Sequence, residues 1–317
     1  MAERREPEAW RELPPAAGSF VMATGIISVG LHLVRWEVAS WVSAAIAGTV
    51  WVLLAADFMD RLLWHRARWE AEAVTAPALT GVAATTVLGT RLSLAEWQWP
   101  AAALLLIGLT VWPILLVLVI RHWTRSMPGA AFLVCVSTQG LAVLTATLAQ
   151  AGAGDWLISV SLLFFGLGIP LYAAAFARFD LRQVRQGAGD QWVAAGALAI
   201  SALAASKLTA WPDWTGLPHT ILRGVTLTLL GLCLLGYGIL LVSEVLDPRP
   251  GYSIRRWATV FPLGMTAVAT LSTSAATRIG FLHPLGVGLL VIAVAGWVLV
   301  CGQLPWANIP LWNIANR

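Results

Sequence analysis

Residues 98–120 read QWPAAALLLIGLTVWPILLVLVI, a run of 23 positions without a charged side chain. A helix needs about 20 apolar residues to cross the hydrocarbon core of a bilayer. Backbone groups in lipid must pair within the segment, so a run of this length is a helix; a barrel strand is half as long and alternates in polarity. This stretch therefore predicts a membrane-spanning helix.

Nine further apolar runs resemble this one, and the whole chain is 58% hydrophobic and only 11% charged. A soluble domain carries about 25% charged residues, so little of this chain faces water. Spans 1 to 10 are predicted near residues 14–34, 38–60, 73–92, 98–120, 128–151, 156–178, 191–210, 219–243, 256–278 and 282–304. The sequence thus predicts an all-α integral membrane protein. One transmembrane domain, 14–305, lies between an N-terminal segment, 1–13, and a C-terminal tail, 306–317.

The basic residues predict the orientation of the spans. Segments on the N-terminal side of the membrane hold 15 of the 20 Lys and Arg residues. Cytoplasmic loops are enriched in basic residues, so both termini are predicted to be cytoplasmic. We therefore expect a multi-pass protein of the cell (inner) membrane.

The basic residues of the other side repeat at similar intervals. Four of them close spans 1, 3, 7 and 9, and the matching place on span 5 holds the neutral Gln150. These four are Arg35, Arg91, Lys207 and Arg278. The steps along the series are 56, 59, 57 and 71 residues, which favours five helical hairpins laid down in series.

Odd-numbered and even-numbered spans differ in composition. Odd spans are rich in Gly, Ala, Ser and Thr, whereas spans 4, 8 and 10 consist mainly of Leu, Val and Ile. Small and hydroxylated residues belong where helices pack closely or where water lines a cavity. An inner ring of odd spans around a central pore is therefore expected, although close packing alone would also explain the small residues. The candidate pore-lining residues are Thr24, Ser28, Thr80, Thr86, Ser201, Thr266 and Thr270.

Two motifs resemble a known family. Residues 14–28 read PPAAGSFVMATGIIS, and Phe261-Pro262 lies on span 9. Both are similar to the tellurite-resistance/dicarboxylate transporter family, which includes TehA-type channel homologues and the slow anion channels of plants. The resemblance implies five hairpins around a pore, a homotrimer with one pore per subunit, and a plugging phenylalanine, here Phe261.

The residues themselves are compatible with anion movement. A ring of Arg35, Arg91, Lys207 and Arg278 at an outer mouth would concentrate anions, although these side chains could instead only snorkel to the interface. Pro262 lacks an amide donor and can bend span 9. Phe261 beside it is then a bulky ring at a bend, or alternatively a core phenylalanine.

We therefore expect an anion channel or passive permease for small inorganic or organic anions. The alternative is a proton-coupled secondary transporter or exporter of a C4-dicarboxylate or sulfite. No acidic residue lies in the middle of a span, which argues against strong proton coupling. His32, near the outer end of span 1, leaves that alternative open. The expected partners are small anions and the lipid bilayer, with no nucleic acid.

An enzyme is not expected. Asp57 and Asp60 match half of a diphosphate-binding DxxD motif, but a magnesium-dependent prenyltransferase needs a second such motif. The three cysteines, Cys135, Cys233 and Cys301, have no metal-binding spacing and are interpreted as packing residues. No cofactor or metal is predicted.

Overall fold

A computed structural model describes residues 15–248 and 253–307 of the chain. Within these ranges the chain is helical and contains no β-strand beyond an isolated bridge between Met127 and Phe179. The predicted N-terminal segment 1–13 lies outside the described residues. Of the predicted tail 306–317, residues 306 and 307 are described, as the end of the last helix.

The described residues form ten long helices and two short ones, α3 and α8. The helices are α1 (Gly18–Leu33), α2 (Glu37–Trp64), α3 (Arg66–Ala73), α4 (Thr80–Leu94), α5 (Gln98–Arg121), α6 (Leu133–Gln150), α7 (Trp156–Phe176), α8 (Gln183–Gln186), α9 (Val193–Thr209), α10 (Gly216–Leu246), α11 (Trp257–Thr277) and α12 (Leu282–Ala307). A 3₁₀ turn precedes each of α1, α4, α6, α9 and α11.

Seven helical segments among the described residues are long and apolar enough to cross a membrane, or eight if the bent pair α3–α4 counts as one span. The all-α membrane class is thereby confirmed, whereas the count of ten spans stays a prediction. α1 has only 16 residues. α11 is not among the seven, and seven of its 21 residues are Ser or Thr.

Five helices form a closed inner ring. α1, α4, α6, α9 and α11 each pack against the next, and α11 packs back against α1. The other long helices, α2, α5, α7, α10 and α12, lie outside this ring, each against its hairpin partner and an adjacent inner helix. The apolar stretch of α6 is entirely buried, whereas that of α2 is 17% buried. Short connections make each hairpin antiparallel, so the five inner helices run in one direction. Their starting ends define the N-side of the bundle, and the opposite end is the C-side.

Glycines let the inner helices approach closely. A Cβ at Gly25 of α1 would lie 2.9 Å from Val87 of α4, and one at Gly196 of α9 would lie 2.8 Å from Pro262 of α11. At Gly264 of α11 it would meet Ile26 of α1 at 2.8 Å. Real Cβ atoms are not found at such distances, so larger residues at these positions would push the ring apart.

Three C-side turns share one helix-ending motif. The amide of Trp36 donates to Leu31 O, that of Trp97 to Leu92 O, and that of Ala153 to Leu148 O. This six-to-one bond is the Schellman motif, which places the preceding residue in the left-handed region. Those residues are Arg35, Glu96 and Gly152, with φ of 66°, 65° and 80°.

A glycine exchange at these turns tests the motif. A side chain in the left-handed region costs roughly 1 kcal/mol relative to glycine. We expect Glu96→Gly to raise the free energy of unfolding by about 1 kcal/mol and Gly152→Ala to lower it by a similar amount. Thermal unfolding of the purified protein in detergent measures both. Glu96→Ala, which keeps a Cβ, is the control, and destabilisation by Glu96→Gly would contradict the assignment.

Candidate functional site

A small central cavity lies where the five inner helices meet. Its volume is about 10 Å³, close to the space that one water molecule needs. Every inner helix contributes to its wall. The lining residues are Ile26 and Val29 from α1, Thr86, Val87 and Thr90 from α4, Gly140 and Val143 from α6, Ile200 and Leu203 from α9, and Met265 from α11.

The cavity lies at a similar depth in all five helices. Ile26, Thr86, Gly140, Ile200 and Met265 are the seventh to ninth residues of their helices. At 1.5 Å per residue they lie about 9–12 Å from the helix starts. Most of the lining side chains are aliphatic, so the axis of the ring is a narrow apolar constriction.

Phe261 lies on the N-side of this constriction. It is the fifth residue of α11 and is 1% exposed. Residues four apart lie on one face of a helix, so Phe261 points along the same face as Met265, which lines the cavity. Pro262 lies inside α11, which continues without interruption to Thr277. The pyrrolidine ring of Pro262 packs against Gly196 of α9.

Of the seven predicted lining residues, Thr86 alone lines the central cavity. Two of the others bond to outer helices: Thr24 accepts from Trp297 Nε1 at 2.9 Å, and the Ser28 hydroxyl lies 3.2 Å from that of Ser40. These two hydroxyls face α12 and α2, so they attach outer helices to the inner ring.

The remaining four predicted residues donate to carbonyl groups one turn back in the chain. Ser201 donates to Ala197 O and Thr270 to Thr266 O, each at 2.7 Å. Thr266 donates to Pro262 O and lies 3.5 Å from the thiol of Cys233 on α10. Thr80 donates to Pro77 O and lines a different, larger cavity. Such bonds satisfy a hydroxyl inside a helix without a pore.

Sequence reasoning missed the aliphatic residues that line the axis. Their only signal is a pair of large apolar side chains three residues apart on a helix otherwise rich in small residues, as with Ile26 and Val29 or Ile200 and Leu203. The same spacing marks ordinary helix packing, so it cannot single out a pore.

All four predicted mouth residues lie at the C-side ends of inner helices, but only some of them are open to solvent. Arg35 and Arg278 are exposed and follow α1 and α11, which are neighbours in the ring. Lys207 of α9 meets Gln150 of the neighbouring α6. Lys207 Nζ lies 3.4 Å from Gln150 Oε1, and Gln150 Nε2 donates to Lys207 O at 2.8 Å. The two residues that occupy matching places in the sequence thus pair in space.

Arg91 is buried instead of standing at an open mouth. Its side chain is 1% exposed, and its Nε donates to Ser28 Oγ at 3.1 Å and to Ser40 Oγ at 3.0 Å. The guanidinium lies 4.6 Å from the centre of the Trp41 ring. Both of its terminal amino groups lack a hydrogen-bond partner among the described residues. Arg91 therefore carries a positive charge within the junction of α1, α2 and α4.

Glu37 connects Arg91 to His32. Its carboxylate lies 3.9 Å from Arg91 Nη2 and 3.0 Å from His32 Nδ1. His32, Glu37 and Arg91 thus form a chain of polar side chains on the C-side.

The acidic residues of the partial DxxD motif have separate partners. Asp57 forms an ion pair with Arg61 at 2.6 Å, and Asp60 Oδ2 lies 3.2 Å from His65 Nδ1. Across the part of the chain that the structure describes, no three His, Cys, Asp or Glu side chains are grouped so as to hold a metal ion. The motif thus stabilises the N-side end of α2.

Comparison with protein families settles what kind of protein has this ring of helices. The chain matches the SLAC1 family, described as voltage-dependent anion channel, over residues 12–304. The chain belongs to this family. The predicted resemblance is thereby confirmed. The protein is a multi-pass membrane protein that acts as an anion channel or permease. No individually curated protein matches the chain.

The close contact between α4 and α6 in this SLAC1-family protein can be tested with one methyl group. A Cβ at Gly140 would collide with the hydroxyl of Thr86, a cavity-lining residue. We expect Gly140→Ala to lower the free energy of unfolding by about 1–3 kcal/mol, because overpacking shifts the ring. Thermal unfolding in detergent measures this.

The matched control is Gly166→Ala on α7, where an added Cβ meets no atom within 4 Å. Higher helix propensity should make it neutral or stabilising by up to about 1 kcal/mol. Equal destabilisation by both changes would show that the close approach of α4 and α6 is not needed.

Proposed function

We propose that this protein is a passive anion channel with ten membrane-spanning helices, arranged as five hairpins around one conduction axis. The observation that carries the proposal is the central cavity, to which each of the five inner helices contributes. A helix that is surrounded by protein need not be apolar all round, which accounts for the hydroxyl-rich α11 as a span. The short α1 crosses as the buried half of a hairpin with α2.

We assign the N-side to the cytoplasm and the C-side to the outside of the cell (inner) membrane. The described N-side loops carry Arg66, Arg68, Arg125, Arg182 and Arg185 among other basic residues. Cytoplasmic loops are enriched in such residues. The start of α1 and the end of α12 both lie on the N-side, so both termini are then cytoplasmic.

In this proposal the constriction keeps the channel closed. A hydrated anion cannot enter a constriction that holds about one water molecule, and an aliphatic wall favours its drying. Phe261 and Met265 lie one turn apart on the axis-facing side of α11. Rotation of the Phe261 ring, or its removal, would widen the N-side of the constriction.

The C-side supplies the charge selectivity. Arg35, Lys207 and Arg278 lie at the ends of three inner helices, where positive charge concentrates anions at the mouth. The buried Arg91 adds a charge that solvent ions screen less than an exposed one. Small inorganic or organic anions are therefore the proposed substrates, and a homotrimer with one axis per chain is the proposed assembly.

A proton-coupled transporter or exporter of a C4-dicarboxylate or sulfite is the second candidate. The observation that favours it is the chain from His32 through Glu37 to Arg91. Glu37 lies between His32 and the buried charge of Arg91, which would join a proton site to an anion site. In this candidate, anion movement needs a pH gradient.

Removal of the proposed gate should raise anion flux. In liposomes under an imposed potential, we expect Phe261→Ala to conduct chloride or nitrate at least about tenfold faster than the native protein, which requires a barrier lower by only ~1.4 kcal/mol. Fluorescence quenching of an enclosed anion indicator measures the flux, with and without a pH gradient.

Phe164→Ala is the matched control, because Phe164 is a buried phenylalanine of the outer helix α7 and packs on Trp112. It should leave the flux unchanged. If Phe261→Ala only impairs transport, and native transport requires a pH gradient and is lost in His32→Gln, the coupled transporter replaces the channel.

A further inference from the structure

A second cavity, of about 360 Å³, lies on the outer surface of the bundle between α2, α3, α4 and α5. α2 packs on α1, and α5 packs on α4 and α6, so a gap remains between the two outer helices. Its floor is formed by α4, where Gly81, Ala84 and Thr85 present small side chains. Leu54 of α2 and Val111 of α5 line opposite walls of the cavity.

The dimensions of this cavity match a hydrocarbon chain. It extends along α2 from Trp51 to Arg61, eleven residues that span about 15 Å. This is half of the roughly 30 Å hydrocarbon core of a bilayer, hence the depth of one leaflet. The cavity therefore has the length of an acyl chain within one leaflet.

The two ends of the cavity differ in polarity. At the deep end the indole of Trp51 donates to Thr85 Oγ1 at 2.8 Å, so both groups are satisfied there. At the N-side end lie the ion-paired groups of Asp57, Arg61 and Glu72. Between these ends the lining is mainly apolar. The polarity along the cavity, apolar over most of its length and charged at the N-side end, matches that across one leaflet of a bilayer.

α3 marks the level of the membrane surface at that end. It is bent by 95° from α4, so it lies across the bundle while α4 runs along it. Its exposed Arg66 and Arg68 and its Trp69 are typical of a helix lying in the interface. The charged end of the cavity therefore meets the lipid head groups.

Trp69 carries an unpartnered polar group at the wall of the cavity. Its ring lines the cavity and meets Phe58 edge to face, with centroids 6.3 Å apart. Its Nε1–H is buried and has no hydrogen-bond partner among the described residues. A buried indole N–H normally donates to an acceptor. The ester carbonyls of a phospholipid lie at this depth and are acceptors.

We propose that the cavity is a binding site for a phospholipid of the N-side leaflet. One acyl chain lies along α4 between α2 and α5, and an ester carbonyl accepts from Trp69 Nε1. The lipid fills the gap between two outer helices and so fixes α2 and α3 against α4. This site lies outside the ring and does not depend on the conduction axis.

Photolabelling tests the proposal in the full-length protein. The vesicles contain phosphatidylethanolamine and phosphatidylglycerol, with a trace of phosphatidylethanolamine that carries a diazirine at the end of one acyl chain. We expect labelling concentrated near Trp51 and Thr85. Gly81→Leu, which fills the floor where an added Cβ meets no atom within 4 Å, should reduce it by about tenfold.

Gly231→Leu on α10 is the matched control, because an added Cβ there also meets open space but lies far from the cavity in the fold. It should leave the labelling unchanged. Trp69→Phe keeps the aromatic ring and removes the N–H, and it should reduce labelling by about two- to threefold.

Three outcomes would overturn the proposal. Labelling spread evenly over the exposed faces of the outer helices would indicate ordinary annular lipid. Labelling that is indifferent to Gly81→Leu would place the lipid elsewhere. Absence of labelling at the cavity residues, with labelling of the other outer helices intact, would show that no lipid occupies the cavity. Since no outcome depends on anion flux, failure of the channel proposal would leave this test unaffected.

Discussion

The close approach of the five inner helices is the constraint on which the rest of the structure depends. Gly25, Gly140, Gly196 and Gly264 each lie where a neighbouring inner helix leaves no room for a Cβ. Packing of this kind replaces the hydrophobic effect, which does not operate between helices in lipid. It closes the ring and thereby brings side chains from all five helices to one axis. The outer helices then need only attach to the ring, which explains why they remain largely exposed.

Much of the fold could be predicted from the sequence because the bilayer leaves few choices. The apolar runs predicted the long helices to within a few residues at most ends. The start of α4 differs most, because residues 73–79, predicted as the beginning of span 3, form the end of α3 and a 3₁₀ turn. The division into small-residue and aliphatic helices matches the inner and outer positions, because only a protein-facing helix benefits from glycine. Lys207 and Gln150 occupy matching places in the sequence and are in contact in the structure, although their spacing alone did not predict the contact.

The site itself could be predicted less well, because side-chain direction depends on how the helices are rotated. Six predicted lining hydroxyls face neighbouring helices or their own backbone, while aliphatic residues occupy the axis. Arg91 illustrates the same limit. The sequence predicts its position at the end of α4, but its burial against Ser28 and Ser40 depends on how α2 packs against α1. The lipid-sized cavity arises from a gap between α2 and α5, and a gap has no sequence pattern.

The central claim is that anions cross along the axis enclosed by the inner ring. The most direct measurement uses a chain with its three cysteines replaced and Phe261→Ala in place, with a new cysteine at Leu203, which lines the axis, or at Leu235, which is 62% exposed on α10. Anion flux is recorded before and after reaction with a charged methanethiosulfonate reagent. We expect modification to stop the flux through Leu203→Cys and to leave that through Leu235→Cys unchanged. Unaltered flux after complete modification at position 203 would place the conduction path elsewhere.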